Sequence, residues 1–126
     1  MEKVKPGSIR AWLLLPRFHF IPLTLILVSL GTAIAAYEGF LGWGHFALAM
    51  IGSVFVHMTV NVINDYYDHK NGIDLETRRT PFSGGSGVLT SNLLTAKQAF
   101  WFATISLLIA LIIAMVTGIF FGEIFR

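Results

Sequence analysis

Residues 39–64 read GFLGWGHFALAMIGSVFVHMTVNVIN, and they lead straight into Asn64-Asp65-Tyr66-Tyr67-Asp68-His69-Lys70-Asn71-Gly72-Ile73-Asp74. The first stretch contains no Asp, Glu, Lys or Arg. As a helix it is long enough to cross a hydrocarbon core of roughly 30 Å. The second stretch places three carboxylates where hydrocarbon should give way to water. A helix C-terminus is already negative through its macrodipole, so acids there oppose it. No Lys or Arg within the span offsets them. Aspartates at that spot ask for a cation from outside, and a hard divalent ion such as Mg²⁺ carrying a phosphate ligand is the natural candidate.

Two further runs share the character of the first. Residues 18–37 and 99–122 also lack Asp, Glu, Lys and Arg. Only 13% of the 126 residues are charged, against roughly a quarter in soluble domains, and the mean hydropathy is +0.70. The chain is therefore expected to be an all-α, polytopic membrane protein with three transmembrane helices. The expected boundaries are a basic interfacial lead-in at 1–17, spans at about 18–37, 41–67 and 96–121, and a motif loop at about 68–94. The first run is too long for the apolar core of a cleaved signal peptide. Cysteine is absent, which excludes disulfide and thiolate chemistry.

Charge placement orients the spans. Eight of the nine basic residues lie before the first span or between the second and third. The positive-inside rule makes that side cytoplasmic, so the N-terminus and the motif loop are expected inside the cell (inner) membrane. The same rule accounts for the basic tail without nucleic acid, which is not expected as a partner. Local signals mark the joints. Ser8 is placed to cap a short interfacial helix that Pro16 ends. Glu38 to Gly44 reads as a tight Gly-rich turn, and Thr95 with Gln98 forms a capping box at the start of span three.

At 100° per residue, His57, Asn61, Asn64, Asp65 and Asp68 share an arc of roughly 100° on span two. For His57 alone, a packed histidine bonded to a neighbouring span is the simpler reading. The whole stripe grows more acidic toward the motif end, which suits a cavity lined by His57 and Asn61 with a cation at its mouth. An EF-hand is excluded because Lys70 and Gly72 occupy ligand positions. A zinc site is excluded by the missing cysteines and the scattered histidines. Beyond the acids comes Arg78-Arg79-Thr80-Pro81-Phe82-Ser83-Gly84-Gly85-Ser86-Gly87. Its glycines and serines suit a backbone anion nest or a flexible turn, and no Lys-Ser/Thr follows to make a P-loop. Carboxylates hold Mg²⁺, and Mg²⁺ with Arg holds phosphate oxygens, so the combination reads as a diphosphate site at a membrane surface.

Asn64-Asp65-x-x-Asp68 followed by Arg79-x-Pro81-x-x-Gly84 resembles the first aspartate-rich motif of the UbiA superfamily of membrane prenyltransferases. The fuller string NDYYDHKNGID…RRTPFSGGSGVL is most similar to members resembling 1,4-dihydroxy-2-naphthoate prenyltransferases of menaquinone synthesis. The resemblance implies Mg²⁺-dependent transfer of an isoprenyl group from a prenyl diphosphate to an aromatic acceptor such as a dihydroxynaphthoate, within the lipid bilayer. It implies Asn64, Asp65 and Asp68 as catalytic residues and metal ligands, with Asp74 as a further ligand. Arg79, Arg78, Lys70 and Ser83 would bind the diphosphate. The usual third aspartate, four residues after the second, is Gly72 here. Family members carry about nine spans and a second aspartate-rich motif, so the chain is expected to be the N-terminal third of a UbiA-type bundle, inactive without the missing C-terminal half. The rival expectation is a non-enzymatic three-span protein whose acidic loop binds a cation or which assembles with a partner.

Overall fold

The computed structural model describes residues 4–73, 80 and 84–121, with side chains through residue 119. Among the described residues there are helices and turns and no strand. Three helical segments are long and apolar enough to cross a membrane: Phe18–Tyr37, Trp43–Lys70 and Ala96–Ile119. The all-helical membrane class read from the sequence is the class observed.

The lead-in is built first. Helix α1 spans Ile9–Leu14, and Ser8 caps it by accepting the Ala11 backbone N–H at 3.3 Å. Pro16 follows, and Arg17 takes a left-handed backbone conformation with φ 54°. That single residue redirects the chain through a 3-10 turn at Phe18–Phe20 into α2, Ile21–Tyr37. Pro22 lies in the first turn of α2, where its missing N–H removes no helical bond. At the other end Gly39 (φ +89°) closes a Schellman motif. Its N–H donates to the Ala36 carbonyl and the Phe40 N–H to the Ala35 carbonyl.

Helix α3, Trp43–Lys70, has 28 residues. At 1.5 Å per residue it is about 42 Å long, so about two turns stand clear of a 30 Å hydrocarbon core. It extends three residues beyond the expected end near 67, which puts Asp68 inside the helix. Gly72, at φ +75°, terminates it, and its N–H donates to the His69 carbonyl at 3.2 Å. The glycine at the position where the motif usually carries its third acid is thus a helix stop. His69 and Lys70 occupy the last turn, and the Lys70 charge answers the macrodipole there.

Helix α4, Ala96–Phe121, starts at the capping box the sequence indicates. The Gln98 N–H donates to Thr95 Oγ1 at 3.2 Å, and the Thr95 N–H donates to Gln98 Oε1 at 2.8 Å. Helix α3 packs mainly on α4 and more lightly on α2. Near mid-membrane, a Cβ added to Gly52 would come within 3.1 Å of the Ile113 side chain.

The best-buried side chains lie at the motif end. Ala11 and Leu15 from the lead-in, Val62 of α3, Val88, Leu89 and Leu94 from the return segment, and Ala99 and Ala103 of α4 form one apolar cluster. The small alanines let the helix backbones approach. The Gly7 N–H donates to the Leu93 carbonyl at 2.8 Å and ties lead-in to return segment. Residues 84–94, the segment returning to α4, run in bends and turns.

Candidate functional site

The polar stripe of α3 divides in two. Its upper part lines a groove of about 410 Å³ between α2 and α3, with Thr24, Ser53, His57 and Asn61 among apolar neighbours. His57 Nδ1 lies 3.3 Å from the Thr24 hydroxyl, so α2 and α3 share a polar contact within the membrane-spanning region. His57 Nε2 is buried without a hydrogen-bond partner. Asn61 donates its side-chain amide to the His57 carbonyl at 3.0 Å.

Below the groove, Asn64 is exposed and Asp68 half-buried. The Asn64 amide nitrogen donates to Asp68 Oδ2 at 2.8 Å, one helical turn away. The bond orients the carboxylate, with the Asn64 amide oxygen close by on the same face. Both oxygens are hard donors of the kind Mg²⁺ prefers.

Asp65 does something else. It is only 2% exposed, and Arg17 pairs with its Oδ1 through a guanidinium that is itself 13% exposed. Its Oδ2 accepts the backbone N–H of Ser86 at 2.8 Å. Both oxygens are engaged, one by the lead-in and one by the return segment. The sequence calls for an outside cation to offset these aspartates; for Asp65 the cation is Arg17. The Gly84–Gly87 stretch, read as an anion nest, aims its Ser86 N–H at this carboxylate.

Lys70 is exposed, with Nζ 6.0 Å from the Tyr66 ring centre. On α3, residues 66 and 70 lie on the side opposite Asp68, so Lys70 is not gathered with the Asn64–Asp68 pair. Asp74, Arg78, Arg79 and Ser83 lie outside the described residues. Among the described residues, no three His, Cys, Asp or Glu side chains gather to hold a metal.

A family model for the UbiA prenyltransferases matches residues 24–124. The chain belongs to the UbiA prenyltransferase family. The matched stretch runs from Thr24 in α2 through the acidic motif and α4. No curated protein and no solved structure matches the chain. UbiA enzymes use prenyl diphosphates and aromatic acceptors within lipid membranes. Arg17 precedes the matched stretch. Sequence reasoning assigned it to topology alone. The available signal was a basic residue at the very start of a span, on the same side of the membrane as the motif acids.

Proposed function

We propose that the protein binds a prenyl diphosphate at the motif end of α3 and serves Mg²⁺-dependent transfer of the prenyl group to an aromatic acceptor, a dihydroxynaphthoate-like ring in menaquinone-type quinone synthesis. The observation that carries this reading is the Asn64–Asp68 pair, held by its 2.8 Å bond about one to two helical turns along α3 from Asn61, which lines the α2–α3 groove. The donor set fits a hard divalent ion: Asp68 would supply a carboxylate oxygen and Asn64 its amide oxygen, with phosphate oxygens and water completing the shell. When bound, the ion supplies positive charge to the diphosphate leaving group.

The chain's own residues then have distinct tasks. Asp68 anchors the head group, and Asn64 keeps that carboxylate oriented. The groove past Asn61 and His57 takes apolar chain and limits water. In the transfer, the donor's allylic C–O bond breaks and diphosphate leaves with the electron pair. The acceptor's ring carbon forms the new C–C bond and loses its proton. Arg78, Arg79 and Ser83 are proposed to contact the diphosphate, and Asp74 to add a ligand.

The proposed orientation puts the N-terminus and motif loop on the cytoplasmic side of the cell membrane, following the placement of basic residues. We also propose that the donor's apolar chain lies along the α2–α3 groove. The test is a transfer assay in membranes with Mg²⁺, prenyl diphosphate and a dihydroxynaphthoate. Asp68→Ala should abolish product while membrane insertion stays normal. Near-wild-type transfer by that variant would overturn the reading.

A further inference from the structure

We propose that Arg17 is a positioning residue for the diphosphate-binding end of α3, acting through a buried strut of Arg17, Asp65 and the Ser86 backbone; the proposal rests on the prenyl diphosphate reading above.

The strut joins three segments that are distant in sequence. Arg17 ends the lead-in, Asp65 lies on α3, and Ser86 belongs to the segment returning to α4. Each Asp65 oxygen is committed to a different one of its two neighbours. The Ser86 hydroxyl accepts the Val88 N–H at 3.2 Å, and Val88 and Leu89 are buried in the core next to α1. The return segment therefore cannot shift without disturbing the carboxylate.

The arrangement is built at some cost. Arg17 holds φ 54°, a conformation that non-glycine residues rarely adopt and that lacks here the local side-chain bonds of an Asn or Asp. Its Nε is buried without a partner among the described residues. Gly84, Gly85 and Gly87 all have positive φ, at 86°, 75° and 78°. These glycines give the backbone the bends that bring the Ser86 N–H onto Asp65. A buried ion pair adds little net stability compared with apolar residues of similar volume, so its distinctive contribution is geometric.

That geometry reaches the Asn64–Asp68 pair directly. Asp65 follows Asn64 and precedes Asp68 by three residues, on the inward edge of the same helix. Holding Asp65 inward fixes the rotation of α3, and with it the face on which Asn64 and Asp68 lie together with Asn61. Neutralising it with Arg17 also keeps a third carboxylate out of the diphosphate site. Asp65 and Arg17 touch neither ion nor substrate in this account.

The experiment measures Mg²⁺-dependent binding of farnesyl diphosphate to the full chain in nanodiscs, on the monodisperse fraction of each variant. Arg17→Gln and Asp65→Asn alone each strand one buried charge and should weaken binding about tenfold or more. The double variant Arg17→Gln/Asp65→Asn replaces the ion pair with a neutral hydrogen-bonding pair that still accepts the Ser86 N–H. It should return to within about threefold of wild type, a coupling of the kind contacting residues show. A double variant as weak as the worse single, or two singles that bind normally, would overturn the proposal. Should the singles fail to fold, the double variant alone decides: it must fold and bind within that range. Asp68→Ala separates the two readings. Normal binding by Asp68→Ala defeats the diphosphate site itself, whereas loss there without recovery in the double variant defeats only the strut.

Discussion

Asp65 and Asp68 stand three positions apart on α3, yet their carboxylates belong to different structures. Asp65 is buried against Arg17 and the Ser86 N–H, and half-buried Asp68 meets the Asn64 amide one turn away. Asp65 joins three segments of the chain, and the partner that Asp68 meets is a residue of its own helix. The predictions follow from that division of labour.

The Asn64–Asp68 bond predicts a graded loss at the site. Asn64→Ala removes an orienting partner and should lower Mg²⁺-dependent affinity for prenyl diphosphate by about 10–100-fold, the usual effect of losing a group that positions a metal ligand. Isothermal titration in nanodiscs reads it. Asn64→Ala binding as tightly as wild type would mean that the bond positions nothing.

Burial of the Arg17–Asp65 pair predicts an unequal response among the lead-in arginines. Arg17→Ala strands a buried carboxylate and should cost about 3–5 kcal/mol of stability. Arg10 is exposed, and Arg10→Ala should stay within about 0.5 kcal/mol of wild type. Reversible denaturation in detergent micelles gives both values. Equal effects would contradict the burial of the pair.

Close approach of α3 and α4 predicts a steric conflict at Gly52. A Cβ there already meets Ile113 at 3.1 Å, so Gly52→Val should destabilise by about 1–3 kcal/mol through overpacking. Adding Ile113→Ala should recover part of the loss. Thermal melts in detergent check it, and additive losses in the double variant would argue against the contact.

Much of the fold was legible from the sequence because its signals are local. The three apolar runs, the Thr95–Gln98 capping box and the Ser8 cap each depend on residues within a turn or a span. Lys70 ending α3 was less legible, since a polar Asp-His-Lys tail continues a helix as readily as it leaves one. Gly72 decides the matter through its positive φ. The Arg17–Asp65 pair was not legible, because it joins residues 48 positions apart through an unusual backbone turn. The basic charge at Arg17 already had a sufficient explanation in topology. The glycines around Ser86 suited either an anion nest or a flexible turn, and the anion that the Ser86 N–H meets is a carboxylate of the same chain. Asp74, Arg78, Arg79 and Ser83 fall outside the described residues, so their proposed roles still rest on the motif resemblance.

Charge asymmetry predicts opposite labelling at the two ends of α3. Glu38 and Ser91 are both exposed, near opposite ends of the membrane-spanning stretch. In intact cells, an impermeant maleimide should label Glu38→Cys from outside and reach Ser91→Cys only after lysis. External labelling at position 91 would reverse the topology.

The most direct test of the central claim is calorimetric titration of farnesyl diphosphate into the nanodisc-reconstituted protein, with Mg²⁺ and with EDTA, for wild type and Asp68→Ala. The account predicts saturable binding by wild type that disappears in EDTA and in Asp68→Ala. Wild-type binding that is absent, indifferent to Mg²⁺, or unchanged in Asp68→Ala would contradict it.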